Sequence, residues 1–141
     1  MSFVVETRTV ADRSTAVGSA GPYTLVVDRP AAAGGGGLGF NGGQLLYLAV
    51  AGCVSNDLYR EADAVGIRLD RVVVHVSGDF AGDPAVSAPI TYRVEVSGDA
   101  SEERLHELVA HVDRIAEIPN SLRRGTDVRL ESANVSATGT A

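Results

Sequence analysis

Hydrophobic and polar residues alternate with a period of two in several short stretches of the chain, which is typical of strands that bury one face. Before residue 30, Ser2–Val10 and Tyr23–Asp28 predict two strands, and a third strand around Ser14–Val17 is left open. Further along, Arg71–Ser77 and Ile90–Val96 alternate cleanly, so each predicts a strand with one buried side.

Two other stretches follow the period of a helix. A long helix is predicted over Gly42–Val65, with Asn41 as its N-cap and Gly66 in the left-handed position that ends many helices. A second helix is predicted over Ser101–Glu117, because its apolar residues recur at spacings of three and four. These apolar positions are Leu105, Leu108, Val109, Val112 and Ala116. Pro119 is expected to end this helix.

The remaining segments connect these elements. Residues 31–43 are dominated by glycine, which disfavours a regular element and predicts a loop. Residues 120–124 predict a helical turn, residues 126–137 have the character of a strand, and residues 138–141 form a tail that we expect to fray. Runs of strands separated by two helices and linked by hairpins indicate a single α+β domain over residues 1–141, with antiparallel sheets around the two helices.

The first half of the long helix carries apolar residues on every side. Leu45–Val54 leaves no polar face, and a helix that is apolar all round is normally buried. One sheet of so small a chain covers only one side of this helix, so we predict a homodimer in which a second copy covers the rest. The same stretch is far shorter than the ~20 apolar residues that a membrane-spanning helix needs, and no membrane span is predicted.

Composition argues against several classes of function. The net charge of −6 disfavours binding to nucleic acid and to anionic membranes. All twelve basic residues are arginine, so no Schiff-base lysine exists and the glycine-rich loop lacks a phosphate-binding Gly-Lys-Ser/Thr motif. One cysteine and three scattered histidines predict no metal site, and no cofactor is predicted. The N-terminus lacks the pattern of a signal peptide, so we expect a cytoplasmic protein.

One segment resembles a known family. Leu38–Cys53 reads LGFNGGQLLYLAVAGC, and it resembles the OsmC/Ohr family in its glycine-containing start and in the small residues before its cysteine. Downstream, Ile118-Pro119 looks like the exit of that family's second helix. The resemblance implies an OsmC-like fold in which long central helices are buried at the interface of an intertwined homodimer.

The resemblance also implies a chemistry. Characterised members of the family reduce organic hydroperoxides with a peroxidatic cysteine on the first long helix and a resolving cysteine at the end of the second. Cys53 matches the peroxidatic cysteine, whereas Ile118 occupies the position of the resolving one. Ohr-type members also carry a glutamate ten residues before the peroxidatic cysteine, which is Gly43 here. They activate the thiolate with an arginine from the N-terminal strands, for which Arg13 is the candidate.

Two hypotheses for the function follow. In the first, the protein is an organic hydroperoxide reductase that works through Cys53 alone, with Arg13 as activating residue and an external thiol as reductant. In the second, the protein has lost the redox cycle and binds a lipophilic small molecule in the pocket at the dimer interface, and Cys53 is a small buried apolar residue. The candidate binding residues are Phe40, Gln44 and Tyr47, which lie in the segment that carries the resemblance.

Overall fold

The structure is a computed structural model that describes residues 1–139. Within these residues the helices are α1 (Gly42–Ala64), α2 (Glu102–Ile115) and α3 (Glu117–Arg123), with a 3-10 turn over Ala31–Ala33. The strands are β1 (Glu6–Thr9), β2 (Ala16–Ala20), β3 (Tyr23–Val27), β4 (Leu69–Ser77), β5 (Phe80–Ala81), β6 (Val86–Ser87) and β7 (Thr91–Gly98).

All strand pairs in this part of the chain are antiparallel. Strands β1, β2 and β3 form a meander in that order, β4 pairs with β7, and β5 pairs with β6. In the β4–β7 ladder, Val72 lies opposite Val96 and Val74 lies opposite Val94. The apolar side of this ladder packs against the helices, which confirms the predicted α+β class with antiparallel sheets.

The core lies where α1 packs against α2 and the β4–β7 ladder. Its buried side chains are Val54, Leu58, Ala62, Ile67, Leu108, Val112 and Ala116. Complete burial of a side chain as large as Leu58 contributes about 1.5–3 kcal/mol. The first half of α1 is less covered, because Leu48 remains 50% exposed within one chain. Among residues 1–139, no helix combines the length and apolarity that a membrane span requires.

The structure confirms the predicted start of α1 at Gly42 and places its end at Ala64, one residue before the predicted end. The second helix ends earlier than predicted, because Ala116 adopts an extended backbone (φ −59°, ψ 123°) that separates α2 from α3. Pro119 therefore does not terminate α2. It lies in the first turn of α3, where a proline removes no hydrogen bond that the helix would otherwise form.

The strand predicted over residues 126–137 is wrong for the described chain, whose backbone is irregular throughout this segment. Val128, Leu130 and Val135 are exposed, and without a neighbouring strand their backbone groups find no ladder partners. Residues 138–139 are also irregular, and residues 140–141 of the predicted tail lie outside the described residues. Conversely, the long loop between β4 and β7 contains the short β5–β6 hairpin, which the sequence pattern did not indicate.

One buried carboxylate organises the glycine-rich loop. Asp28 follows β3 directly and is only 2% exposed. Its two oxygens accept five hydrogen bonds, from the hydroxyls of Ser14 (2.9 Å) and Thr15 (2.8 Å) and from the backbone amides of Arg29 (2.7 Å), Gly36 (3.3 Å) and Leu38 (3.2 Å). Asp28 thus joins the turn before β2 to the loop that leads into α1.

The loop packs so closely on its surroundings that Gly35, Gly36 and Gly39 have no room for a side chain, and a Cβ atom at Gly35 would overlap the backbone carbonyl of Arg29. A Cβ atom at Gly36 would lie 2.8 Å from Oδ2 of Asp28, and a Cβ atom at Gly39 would overlap the backbone carbonyl of Val26. Close backbone packing therefore requires glycine at these positions of the loop, and Gly34 and Gly37 adopt positive φ angles that glycine tolerates best.

Burial alone would raise the pKa of the Asp28 carboxyl. The hydrogen bonds from Thr15, Ser14, Leu38 and Gly36 outweigh burial, because they favour the charged form, and they hold this pKa well below its usual range. Since the folded-state pKa lies below the unfolded value of about 3.9, ionised Asp28 stabilises the fold fully above about pH 4. This contribution is lost as the pH falls from that value through the lowered pKa.

We predict that Asp28→Asn lowers the melting temperature at pH 7 by roughly 5 °C or more, because an amide cannot accept the same five hydrogen bonds. Thermal unfolding followed by circular dichroism measures this effect. The difference between wild type and variant should shrink below about pH 4. Asp63→Asn, at an exposed position of α1, is the control, and equal losses in the two variants would contradict the prediction.

Candidate functional site

The start of α1 is fixed by a reciprocal pair of hydrogen bonds. The Asn41 side chain accepts from the backbone amide of Gln44 (2.9 Å), and the Gln44 side-chain oxygen accepts from the backbone amide of Asn41 (3.0 Å). This capping box satisfies two amides that the first helical turn leaves without partners. It also sets the direction of the Gln44 side chain, one of the predicted binding residues.

The three predicted binding residues line one groove. Phe40, Gln44 and Tyr47 line a groove between α1 and β4 that has a volume of about 430 Å³. We call it the α1–β4 groove. Its other lining residues are Leu48, Ala51, Val74, His75 and Val76. Gln44, Tyr47, Leu48 and Ala51 follow one another at helical spacing, so they share one face of α1.

Tyr47 is held against the β5–β6 hairpin. Its ring stacks on Phe80 with ring centroids 6.0 Å apart and an interplanar angle of 14°. Its hydroxyl donates to the backbone carbonyl of Asp79 (3.3 Å) and lies 3.4 Å from Oγ of Ser87. A Cβ atom at Gly78 would lie 2.6 Å from the Tyr47 hydroxyl oxygen, so glycine is needed at that position.

Phe80 also covers the position where the resemblance places a glutamate. A Cβ atom at Gly43 would lie only 2.9 Å from Cε2 of Phe80. An aromatic ring occupies the space beside it.

Cys53 lies on α1, partly buried, and packs against the edge of the core. Its Sγ donates a hydrogen bond to Oδ2 of Asp57, one helical turn further along, at 3.8 Å. Asp57 is 6% exposed, and its other oxygen forms an ion pair with Nη1 of Arg60 (2.9 Å). The hydrogen-bond acceptor of the thiol in this arrangement is thus an acid that is itself paired with an arginine.

The other residues of the implied redox site are not brought to this sulfur within residues 1–139. Arg13 lies in the exposed turn between β1 and β2, where its backbone amide donates to the carbonyl of Val10 (3.1 Å). Its guanidinium forms no hydrogen bond to Cys53 in the described chain, so its role as an activating residue stays a prediction. Ile118 lies in α3 and offers no thiol.

A second groove runs between α1 and α3, with a volume of about 370 Å³. We call it the α1–α3 groove. At its end, the Tyr92 hydroxyl donates to Oδ1 of Asp113, which also accepts from Nη2 of Arg123 (2.6 Å). Burial, together with the hydrogen bond to Asp113, raises the pKa of Tyr92 to about 12. These polar groups satisfy one another and join β7, α2 and α3, so we assign them a structural role.

The sequence left two contributors to the site unnoticed. Asp57 could have been found, because it lies four residues after Cys53 and a helix brings such pairs together. Phe80 carried no usable signal, because it lies in a segment that the pattern describes only as a loop. Its contacts with Tyr47 and Gly43 depend on how the hairpin folds back onto α1.

We predict that Asp57→Asn makes Cys53 more reactive towards iodoacetamide. Asparagine keeps the size of the side chain and removes a charge that lies 3.8 Å from the sulfur, so the rate at pH 7.5 should rise by about fivefold or less, because Arg60 already neutralises part of this charge. Mass spectrometry follows the rate at which the free thiol is converted into its alkylated form. Asp63→Asn, at an exposed position of the same helix, is the matched control. If Cys53 reacts at the same rate in the Asp57→Asn and Asp63→Asn variants, the role of Asp57 is refuted.

Comparison with known proteins agrees with this architecture. The family model described as OsmC-like protein matches residues 34–131. No curated protein sequence matches the chain. Among solved structures, an OsmC-like protein from Mycoplasma pneumoniae superposes with a TM-score of 0.75 at 19% identity, covering 87% of this chain and 88% of that one.

Two further structures carry a functional name. A putative organic hydroperoxide resistance protein from Vibrio cholerae, with captopril bound in one of its active sites, gives a TM-score of 0.65 at 19% identity and covers 87% of this chain and 85% of its own. The organic hydroperoxide resistance protein OhrB of Bacillus subtilis gives a TM-score of 0.60 at 22% identity and covers 87% of this chain and 91% of its own. These likenesses establish the fold. Because the family model spans well over half of the sequence, the chain belongs to the family of OsmC-like proteins.

Proposed function

We propose that this protein binds a small lipophilic molecule in the α1–β4 groove, which the second copy of a homodimer would close into a pocket, and that Cys53 takes no part in a redox cycle. The observation that carries the proposal is the pairing of the Cys53 thiol with the buried carboxylate of Asp57. Attack on a peroxide requires a thiolate, and a thiolate at this position would lie beside a negative charge.

The surroundings of the thiol support the same conclusion. Ile118 stands at the position of the resolving cysteine, so Cys53 has no second thiol with which to form a disulfide. Gly43 stands at the position of the family's glutamate, and the Phe80 ring fills the adjoining space. Each change removes one component of the two-cysteine reaction that the family resemblance implies.

The α1–β4 groove supplies the features of a small-molecule site. Its walls are aliphatic and aromatic, with Gln44 and His75 as its polar side chains. Sites for lipophilic ligands commonly combine apolar walls with a few polar groups that fix orientation. The relative from Vibrio cholerae, with captopril in one of its active sites, shows that a protein of this fold can hold a small organic molecule.

A second candidate is a one-cysteine peroxidase, favoured by the position of Cys53 on α1 and by the names of the relatives from Vibrio cholerae and Bacillus subtilis. The Cys53 thiolate would attack the peroxide ROOH, giving the sulfenic acid and, after protonation, the alcohol ROH. Two equivalents of an external thiol, of the kind the cytoplasm supplies, would then return the sulfenic acid to the thiol and yield a disulfide and water.

One set of measurements separates the two candidates. With decan-2-one as the probe, saturation-transfer NMR should show binding to wild type and to Cys53→Ser, and no binding to Ala51→Trp, whose indole fills the groove. Ala64→Trp, at the exposed end of α1, is the matched control. In parallel, dimedone should leave Cys53 unlabelled while cumene hydroperoxide persists.

Two other outcomes would contradict the binding proposal or its site. A dimedone adduct on Cys53, together with thiol-dependent consumption of peroxide, would establish the peroxidase and contradict the first proposal. Binding of decan-2-one that is unaffected by Ala51→Trp would place the ligand elsewhere and remove the α1–β4 groove as the site.

We also propose that the protein is a homodimer. One chain exposes 10672 Å², whereas a folded monomer of 14.6 kDa is expected to expose about 6,900 Å². Exposed apolar side chains occur on the first half of α1 and on the N-terminal meander, among them Leu48, Val17 and Leu25. Surface of this extent and character is typical of chains that bury it against a second copy.

Sedimentation equilibrium at micromolar concentration should therefore give a mass of twice 14.6 kDa. Leu25→Glu should shift the protein towards monomer, because it places a charge on an apolar surface of the N-terminal meander, outside the α1–β4 groove, that the second copy would cover. Glu107→Gln, a surface change on α2, should leave the mass unchanged. A monomeric wild-type protein would exclude the dimer.

A further inference from the structure

Beyond α3 the chain continues in a segment that belongs to neither sheet nor core. Its first residues alternate between charged and apolar side chains: Asp127, Val128, Arg129, Leu130 and Glu131. Val128 is 91% exposed and Leu130 is 86% exposed. Among residues 1–139, no backbone group after Thr126 is hydrogen-bonded to another backbone group. Free backbone groups beside alternating apolar side chains are what a strand presents before it joins a sheet.

Strand β7 offers a free edge to such a strand. Among the described residues it pairs with β4 alone, so its other edge has no neighbouring strand. The core is also incompletely covered where β7 meets α2, because Val94, Leu105 and Val109 are only partly buried there. A further strand at this edge would bind the free amide and carbonyl groups of β7 and cover these side chains.

The charged residues of the segment match the outer face of β7. There Arg93 forms no ion pair within the described chain, whereas Glu95 forms two. If Arg129 lies opposite Glu95, an acidic neighbour of Arg129 lies opposite Arg93. That neighbour is Asp127 when the two strands are parallel and Glu131 when they are antiparallel. Opposite charges therefore face each other in either direction, which stabilises the pairing.

The same register aligns the apolar residues of the two strands. Side chains alternate between the faces of a sheet, so Val128 and Leu130 lie beside Val94 and Val96 in either direction. Both of these valines of β7 lie on its inner face and are only partly buried. A shift by one residue would instead turn the charged side chains of the segment towards the core.

We propose that residues 127–131 of one copy form a strand on the free edge of β7 in a second copy, with Arg129 opposite Glu95. Within its own chain the segment leaves β7 uncovered, and the second copy supplies an equivalent edge. The inference rests on the proposed homodimer, and it adds the element that each copy gives and the edge that receives it. Two-fold symmetry makes the exchange reciprocal, so two such pairings join one dimer.

Cross-linking between single cysteines tests this contact. Two full-length variants are prepared in a Cys53→Ser background, one with Glu95→Cys and the other with Arg129→Cys, and they are co-expressed with tags of different mass. Opposite residues of paired strands have Cβ atoms about 5 Å apart, which is close to the spacing in a disulfide. Mild oxidation should therefore join the two different chains, and a non-reducing gel should show the covalent heterodimer.

Thr91→Cys is the matched control for Glu95→Cys. Thr91 lies on the same face of β7, at its start, about 13 Å from the position of Glu95 along the strand. When this variant is co-expressed with Arg129→Cys, it should give roughly tenfold less covalent heterodimer, because a disulfide does not span that distance.

Sedimentation equilibrium gives a second measurement that does not depend on cysteines. Leu130→Glu should raise the dissociation constant of the dimer roughly tenfold, because it places a charge on the side of the strand that faces the core. Leu130→Ile keeps an apolar side chain of the same volume and should leave the constant within about twofold of the wild-type value.

The outcomes separate the strand exchange from the homodimer on which it rests. If the protein sediments as a dimer but the Glu95→Cys and Arg129→Cys chains give no more covalent heterodimer than the control pair, the exchange is overturned and the homodimer stands. If both cysteines are placed in one chain and oxidation links them within that chain, the segment pairs with its own β7 and the exchange is also overturned. A monomeric wild-type protein would overturn the homodimer and the exchange together.

Discussion

The carboxylate of Asp28 is the interaction on which the geometry of this site depends. It is almost completely buried, and it remains charged because five donors from three segments of the chain point at its two oxygens. These bonds attach a glycine-rich loop, which has little conformational preference of its own, to the end of β3. The loop then delivers Phe40 to the groove and Asn41 to the first turn of α1. Phe40 and the helix cap Asn41 are thus positioned by a side chain that lies outside both the groove and α1.

The proposed loss of redox chemistry rests on few substitutions along this same helix. At the position of an acid the chain has Gly43, and the space is taken by the ring of Phe80, which in turn supports Tyr47. Ten residues further on, Cys53 has an acid where a reactive thiol needs a cation. An aromatic ring occupies the space beside Gly43 at one end of the helix, and the thiol donates a hydrogen bond to a carboxylate at the other. Both changes favour binding over catalysis.

The parts of this structure that could be predicted from sequence are those with local causes. Helix α1 begins at Gly42 because Asn41 and Gln44 cap it, and both residues are readable in the sequence. The placement of Phe40, Gln44 and Tyr47 on one groove required the resemblance as well as the pattern. Asp28 looked like the polar end of a strand, because its five donors are set by tertiary folding. The segment 126–137 has the composition of a strand and finds no neighbour in its own chain to pair with, so composition alone misassigned it there.

Dimerisation does not by itself remove the carboxylate from beside the Cys53 thiol. Suppose that a second copy brought an arginine to Cys53. Its attraction for a thiolate would be opposed by the Asp57 carboxylate at 3.8 Å, and at equal distance two opposite unit charges cancel. Arg60 weakens this opposition only in part, because it pairs with the other oxygen of Asp57 and its side chain is more than half exposed. An activating arginine would therefore have to lie closer to the sulfur than the carboxylate does, or bind the carboxylate itself. Since Asp57 lies on the same helix as Cys53, association of two copies that leaves α1 intact also leaves this carboxylate beside the thiol.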